Sequence, residues 1–116
     1  MAKYLVLIYE DEKRWEQADE RTNNEVFQGH LEFRGRNGAA VLGGEALEFT
    51  HTATGIRPDG SGGFVVTDGP FIETKEALCG FYVIDAADDA AAVEVAKQIP
   101  APYGGIEVRR VRVLDY

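Results

Sequence analysis

The chain has 116 residues, of which 45% are hydrophobic and 28% charged, and its formal net charge at pH 7 is -8. A chain of this length fits one domain over residues 1–116. Its negative charge argues against nucleic acid and anionic membranes as partners, because both are negatively charged and repel it. The single cysteine, Cys79, excludes an internal disulfide and a multi-cysteine metal or redox centre, so we expect a reducing, cytoplasmic environment.

The N-terminal segment predicts a central strand followed by an acidic surface. Residues 3–9 (KYLVLIY) are a run of β-favouring side chains without polar alternation, which is typical of a strand covered on both faces. Residues 10–20 then carry six carboxylates against two basic side chains, with Trp15 as the only large apolar residue. We expect this stretch to be a solvated face anchored by Trp15, because runs of charge are usually exposed.

Residues 22–37 predict a helix. The spacing of Thr22 and Glu25 is that of a capping box, in which the threonine accepts from a backbone amide and the glutamate reaches back to the cap. Asn37 and Gly38 supply a C-terminal stop. The three- and four-residue spacing along this helix predicts an inward stripe made of Val26, Phe27, His30, Leu31 and Arg34.

The middle of the chain predicts one interrupted strand and a hairpin. Residues 39–47 (AAVLGGEAL) are strand-like, and the paired Gly43 and Gly44 indicate a bulge or the close approach of another backbone. Residues 51–57 and 63–67 are two short β-type runs. The turn-forming sequence PDGSG between them predicts a β-hairpin.

The last third of the chain predicts a strand, a helix and a final strand. Residues 81–84 (FYVI) are continuously apolar, and Asp85 and Asp88 place carboxylates at the start of the helix that follows. The apolar residues of the final strand change parity between residues 106 and 113, which predicts a bulge or a change of face. The helix ends before Pro100 and has a narrow apolar stripe made of Ala92, Val95, Ala96 and Ile99.

This order of elements predicts an α+β fold, the ferredoxin-like split β-α-β arrangement with an extra β-hairpin between its two halves. Helices on one face of an open sheet leave the other face uncovered. Burying that face takes a second subunit, so we expect a homodimer in which the two sheets lie face to face.

The most distinctive segment, residues 67–76 (TDGPFIETKE), places a tight turn, acids and a lysine between two apolar strands. Two interpretations stay open. In one, Asp68 accepts hydrogen bonds from amides of its own loop while Phe71 fills the core. In the other, the stiff turn holds the Asp68 carboxylate at the rim of a cleft, with Glu73 and Lys75 nearby, since residues in loops fixed on a scaffold often carry function.

The DGPF and ETKE motifs occur together with a strand that begins at Gly80, with the opening KYLVLIYEDE and with GGEAL at residues 43–47. In this combination, which covers most of the chain, the sequence resembles the YCII-related, DGPF-domain family. The resemblance implies a dimeric α/β-barrel built from ferredoxin-like protomers, in bacterial proteins mostly without an assigned activity. It also implies that some relatives are encoded beside extracytoplasmic-function sigma factors.

Family members nearer the YCII type are discussed as enzymes in which a histidine of the first helix and an aspartate form an acid/base dyad. This sequence departs from that pattern, because aligning Gly38 with the family's glycine puts the histidine position near Phe27, and His30 lies three residues later. We predict Asp68 as the general base and His30 as its proton partner in a cleft near the DGPF turn. The alternative for His30 is a histidine satisfied within the core.

The expected ligand is an unknown small molecule bound in the same cleft. No metal or cofactor is expected, because the HExxH, Cys-x-x-Cys, Walker and GxSxG patterns are missing from the sequence. The alternatives to a metal-independent enzyme are a non-catalytic ligand-binding or regulatory dimer and a purely structural module. The candidate ligand-binding residues are Glu45, Thr67, Gly69, Glu73 and Lys75.

Several other polar side chains have ordinary structural interpretations. Cys79 precedes an apolar strand and is expected to be a small apolar filler. His51 is expected to be exposed. Arg109, Arg110 and Arg112 either pair with the surplus carboxylates or hold an anionic ligand.

Overall fold

The protein's structure, a computed structural model, describes residues 1–70 and 72–115. No helix in this part of the chain combines the length and the hydrophobicity that crossing a membrane takes. The described residues form a mixed α+β fold that is compatible with the ferredoxin-like arrangement. Its elements follow one another as β1 (Ala2–Glu10), α1 (Glu12–Gln17), α2 (Glu20–Asn37), β2 (Val41–Ala46), β3 (Thr54–Pro58), β4 (Phe64–Asp68), β5 (Ala77–Ala86), α3 (Asp89–Ala96) and β6 (Gly104–Arg110).

Four strands form one antiparallel sheet in the order β2-β5-β1-β6. β1 lies in the interior of this sheet, paired with β5 on one side and with β6 on the other, as its continuous apolar run predicts. β3 and β4 form a separate antiparallel sheet, with Thr54 opposite Asp68 and Pro58 opposite Phe64. The predicted hairpin is thereby confirmed.

The hydrophobic core lies between one face of the four-stranded sheet and the helices α2 and α3. The buried side chains on that face alternate along β1 and β5: Tyr4, Val6, Ile8, Tyr82 and Ile84. Leu5 and Leu7, which alternate with them along β1, lie on the opposite face and are half-buried. Within one chain, the helices therefore cover one face of β1 and not both, because each strand directs successive side chains to opposite faces.

The acidic segment contains a short helix, α1, that its charge pattern did not predict. α1 has no buried residue, and Trp15 anchors it as expected, with its ring edge-on to Tyr103 at 5.1 Å between ring centroids. α2 begins at Glu20, because Asp19 is its N-cap and accepts a hydrogen bond from the amide of Thr22 at 2.8 Å. The predicted capping box, with Thr22 as the cap, is therefore wrong.

The buried side of α2 differs from the predicted stripe. Phe33 is the buried residue of this helix, while Phe27, Leu31 and Arg34 are exposed and His30 is half-buried. Phe27 and Leu31 each follow a half-buried position by one residue, which turns them about 100° around the helix from its buried side. Two members of the predicted stripe, Val26 and His30, are half-buried, whereas the buried residue Phe33 was not among those predicted.

The strand β2 confirms the predicted irregularity at its glycines. Its register with β5 shifts between Val41 and Gly43. A Cβ atom on Gly44 would lie 2.5 Å from the carbonyl oxygen of Phe81. The paired glycines therefore provide both a bulge and a close approach of two backbones.

The helix α3 follows its prediction. Asp88 is the N-cap, and its carboxylate accepts a hydrogen bond from the amide of Ala91 at 2.8 Å. Three residues of the apolar stripe, Ala92, Ala96 and Ile99, are buried against the sheet. Small alanines allow a helix to lie close to the sheet beneath it.

The strand β6 is more regular than its parity change predicts. Its pairing with β1 runs without a shift from Gly104, opposite Glu10, to Arg110, opposite Tyr4. Val113 lies beyond the end of the strand and is exposed. The prediction of a bulge is wrong, because the change of parity falls where the strand stops.

Candidate functional site

A cavity of about 480 Å³ lies where α1, α2 and the segment after β2 meet the sheet. A second concavity, of about 640 Å³, is lined by residues of α2 alone, which makes it a groove on the surface of one helix. The first cavity combines aromatic walls with converging polar groups, as small-molecule sites do. The aromatic residues that line it are Trp15, Phe27, Phe49, Phe81 and Tyr82, of which Phe81 does so through its backbone because its side chain lies on the other face of β5 from that of Tyr82. The residues with polar side chains along this lining are Glu10, His30, Arg34, Glu45 and Cys79.

His30 and Tyr82 form a hydrogen-bonded pair in the cavity wall. The Nδ1 atom of His30 lies 2.7 Å from the hydroxyl oxygen of Tyr82, and the two rings stack with 5.8 Å between their centroids. The buried ring of Phe33 lies 4.9 Å from the ring of Tyr82, so α2 supports both members of the pair. A contact of this length joins an imidazole to a phenol closely enough for a proton to pass between them.

Burial shifts the pKa of both members of the pair. It lowers the pKa of His30, against the opposing effect of the Glu10 carboxylate. It raises the pKa of Tyr82, against the opposing effect of the Arg34 guanidinium. Since both shifts favour the uncharged forms, the site at neutral pH presents an imidazole that can accept a proton beside a phenol that can donate one.

Arg34 brings a positive charge to this pair. Its guanidinium carbon lies 5.6 Å from the centre of the Tyr82 ring, within the range of a cation–π contact. The side chain is exposed and also lines the cavity. A guanidinium beside an aromatic wall is suited to a ligand that carries a carboxylate or another planar anion.

Glu10 is a buried carboxylate, 3% exposed, at the end of β1. It accepts hydrogen bonds from the amide of Tyr103 at 3.0 Å and from the thiol of Cys79 at 3.5 Å. Burial, reinforced by the Glu10 charge, raises the pKa of Cys79 to about 12, so this thiol stays protonated and fills space as expected. Within residues 1–70 and 72–115, no group of three His, Cys, Asp or Glu side chains is arranged to hold a metal ion.

The segment after β2 is joined to α1 at the edge of the cavity. The carboxylate of Glu12 accepts hydrogen bonds from both the amide of Thr50, at 2.8 Å, and its hydroxyl. Phe49, which precedes Thr50 in the chain, lines the cavity. The acidic segment therefore positions this wall in addition to forming the solvated face that its charges predict.

The structure brings two of the predicted site residues, His30 and Glu45, to the cavity. The other five lie on β4 or in the loop that follows it: Thr67, Asp68, Gly69, Glu73 and Lys75. In the described part of a single chain, Asp68 is not among the residues that line the cavity beside His30. The pairing of Asp68 with His30 stays a prediction.

Asp68 is exposed at the end of β4, where the chain turns as the Asp-Gly sequence predicts. Gly69 has a φ angle of 95°, a conformation that glycine adopts readily. The amide of Gly69 donates to the carbonyl of Ala53 at 2.7 Å. Phe71, expected to fill the core in one interpretation of this turn, lies outside the described residues.

Two residues of the site, Glu10 and Tyr82, were missed in the sequence. Strand parity could have identified Glu10, because the alternation that buries Val6 and Ile8 also directs Glu10 inward. Tyr82 is the one hydroxyl-bearing residue in the apolar run FYVI, and a buried tyrosine needs a hydrogen-bond partner.

The structure gives His51, Arg109 and Arg110 ordinary structural roles. His51 is exposed on a 3₁₀ turn, Thr50–Thr52. Arg109 pairs with Glu107, and the Arg110 guanidinium lies 4.0 Å from the carboxylate of Asp89. These arginines are therefore paired with carboxylates.

We predict that the lowered pKa of His30 makes the protein less stable in mild acid. The unfolded chain takes up the proton first as the pH falls below about 6.5, so the free energy of unfolding decreases from there towards the folded pKa. Urea unfolding at pH 7.5 and pH 5.5 measures this decrease, which should be smaller in His30→Gln. His51→Gln, which changes an exposed ring, should behave as the wild type, and an unchanged decrease in His30→Gln would contradict the prediction.

Two comparisons with known proteins agree on the family. The family model for the YCII-related domain matches residues 2–115, which include the cavity and the segment at residues 67–76. The chain is also 35% identical over 100 residues to an uncharacterised protein of Rhizobium meliloti (strain 1021), and the match covers 83% of this chain and 78% of that protein. The chain therefore belongs to the YCII-related domain family.

Proposed function

We propose that this protein binds a small molecule in the cavity and catalyses a proton transfer on it, with His30 and Tyr82 as the acid/base pair. The observation that carries this proposal is the 2.7 Å contact between His30 Nδ1 and the Tyr82 hydroxyl at a cavity of about 480 Å³. Cavities of this size enclose small organic ligands, and a few polar groups in a mainly apolar wall orient them.

Each group of the site has a defined part in this reaction. The neutral imidazole of His30 takes a proton from the ligand, and the nearby Glu10 carboxylate favours the imidazolium that forms. The Tyr82 hydroxyl gives its proton to the ligand oxygen on which negative charge develops, while Arg34 balances that charge. Because Nδ1 of His30 faces Tyr82, the ligand proton is taken up at Nε2. The imidazolium then gives its Nδ1 proton to the Tyr82 oxygen along their hydrogen bond, which restores the phenol and leaves a neutral imidazole with its proton on Nε2. Proton exchange with water returns the imidazole to its starting tautomer. The net reaction is an isomerisation.

Asp68 remains the base of an alternative arrangement. It lies on β4 outside the lining of the cavity in its own chain, together with the predicted ligand-binding residues Thr67, Gly69, Glu73 and Lys75. His30 holds the role of base in our proposal because its ring lines the cavity and already contacts a proton donor. The two assignments differ in which variant loses activity.

We further propose that the working form is a homodimer whose two sheets face each other in an α/β-barrel. Support comes from the sheet face that the helices leave uncovered. On that face the register places Leu5 opposite Val83 and Leu7 opposite Phe81, which makes a continuous apolar strip across β1 and β5. A second copy offers the same strip, and a twofold axis closes the contact.

A non-catalytic ligand-binding or regulatory dimer is the second candidate function. Two raised pKa values favour it: the pKa of Tyr82 is raised, and the pKa of Cys79 is raised to about 12. Neither group is therefore ionised at neutral pH. A cavity whose phenol and thiol keep their protons can hold a ligand among its aromatic residues without transforming it.

The experiment that separates the two functions begins with the ligand. Small molecules released by denaturing the purified protein are identified by mass spectrometry. If none is released, a library of small organic acids is screened by NMR, with the His30 Hε1 resonance as the reporter. The bound compound is then incubated with the protein in D₂O. Acid/base catalysis exchanges a ligand C–H for deuterium or converts the compound, whereas binding alone leaves it unchanged.

We expect His30→Gln and Tyr82→Phe each to lower the rate of exchange or conversion at least about tenfold in folded protein. Asp68→Asn removes an exposed charge, so its stability should stay within about 1 kcal/mol of the wild type. Its rate should also be unchanged if His30 is the base. Full activity in His30→Gln, with a tenfold fall in Asp68→Asn, would assign the base to Asp68 instead.

A further inference from the structure

The hairpin of β3 and β4, residues 54–68, is here called the arm. Its strands pair with each other in a sheet of their own, separate from the four-stranded sheet. An isolated two-stranded hairpin is marginally stable in water and usually packs on another surface. We therefore expect the arm to pack on another surface in the folded protein.

One face of the arm is apolar. The register places Ile56 opposite Val66 and Pro58 opposite Phe64, so these side chains share a face. Ile56, Phe64 and Val66 are 59%, 68% and 63% exposed. Three large apolar side chains left in water on one face of a hairpin mark a surface that another protein surface covers.

Hydrogen bonds hold the arm in shape at both ends. At its tip, the carboxylate of Asp59 accepts from the amide and the hydroxyl of Ser61, at 2.8 and 2.6 Å, and from the amide of Gly63 at 3.2 Å. At its root, the amide of Gly69 donates to the carbonyl of Ala53. The apolar face is thus preformed, and docking it costs little ordering entropy.

The surface area of the chain is larger than that of a compact monomer. A monomeric protein of 12.8 kDa exposes about 6,300 Å², whereas this chain exposes 8215 Å². Its radius of gyration, 16.5 Å, also exceeds the value of about 13 Å for a compact domain of this length. The excess is about 1,900 Å² on each copy and therefore about 3,800 Å² on two copies, which lies within the range of about 2,000 to 5,000 Å² that obligate homodimers bury in total.

We infer that the apolar face of the arm packs on a second copy of this chain, whose own arm packs on the first in return. This inference rests on the homodimer of the proposed function and adds the arm to its interface. A second copy is the occupant because the same chain also leaves an apolar sheet face uncovered. One twofold contact buries both surfaces on both copies, and the excess surface is as large as the area that such a contact takes.

The double variant Phe64→Ser/Val66→Thr tests the apolar face, with Val65→Thr as the matched control. Val65 is also exposed, but it lies opposite Arg57 on the other face of the arm. We expect sedimentation equilibrium to give a dimer Kd at least tenfold higher for the double variant and within twofold of the wild type for the control. Circular dichroism should show both to be folded, since the replaced side chains are exposed.

Isotope-filtered NMR of the wild type gives a second readout that does not depend on a variant. In dimers mixed from ¹³C-methyl-labelled and unlabelled chains, the methyl groups of Ile56 and Val66 should show NOEs to the other copy. The role of the arm is overturned if the wild type is a dimer without these NOEs and the double variant dimerises as tightly as the wild type. That result leaves the homodimer itself standing. A monomeric wild type overturns both. Equal weakening by Val65→Thr overturns the assignment of the face.

Discussion

Phe33→Ala is expected to lower the free energy of unfolding by about 3 to 5 kcal/mol, the usual cost of removing a buried aromatic ring from a core. Phe33 is 0% exposed, and its ring packs against that of Tyr82 between α2 and the sheet. A small domain has a total stability of about 5 to 15 kcal/mol, so this variant should lose a large fraction of the stability of the protein. Urea unfolding followed by circular dichroism measures the loss.

Phe27→Ala is the matched control, since it makes the same chemical change on the same helix. Phe27 is 60% exposed, so its removal should cost less than about 1 kcal/mol. Because Phe27 lines the cavity, this variant should weaken ligand binding while it leaves folding intact. Equal losses of stability in the two variants would show that the buried face of α2 has been assigned incorrectly.

Gly104→Ala is expected to lower the free energy of unfolding by about 3 kcal/mol or more, above the ordinary cost of overpacking. A Cβ atom at this position would lie 1.8 Å from the carbonyl oxygen of Tyr9 and 2.8 Å from the Cα of Glu10. Both are backbone atoms of β1, so the clash is relieved only by moving the strands apart. That movement would also disturb the Glu10 carboxylate, which accepts from the amide of Tyr103 beside the substituted residue.

Gly105→Ala, one residue further along the same strand, is the control for Gly104→Ala. Apart from Gly105 itself and its two neighbours in the chain, no heavy atom of the described structure lies within 4 Å of a Cβ at this position. This substitution should be neutral or should stabilise the protein by up to about 1 kcal/mol, because alanine restricts the unfolded chain more than glycine does. Thermal melts of the two variants give the comparison. Similar melting temperatures would contradict the close approach of β6 to β1.

The sequence by itself determined most of the secondary structure, because its signals are local. The apolar run of residues 3–9 indicates an interior strand, and Asp88 marks the start of α3 through its cap. The turn-forming residues between β3 and β4 indicate the hairpin. Each of these signals depends on neighbours within a few positions, where backbone geometry and capping act directly. The motif at residues 67–76 likewise indicated the family.

Only the tertiary structure decided which face of α2 is buried. A period of three and four residues fits more than one stripe on a helix that carries apolar side chains on several sides, as Phe27, Leu31 and Phe33 do. Packing against Tyr82 and the sheet selected Phe33. The same packing set His30 beside the Tyr82 hydroxyl and left Arg34 at the cavity edge.

The candidate site was also decided at the tertiary level. Glu10, His30 and Tyr82 come from β1, α2 and β5, and no local pattern links them. Their meeting depends on the antiparallel register between β1 and β5 and on the docking of α2 across it. The conspicuous residue Asp68 lies instead on the separate hairpin. Local periodicity specifies which residues form a strand or a helix, whereas strand register and helix packing determine which side chains meet, because these contacts join residues far apart in the chain.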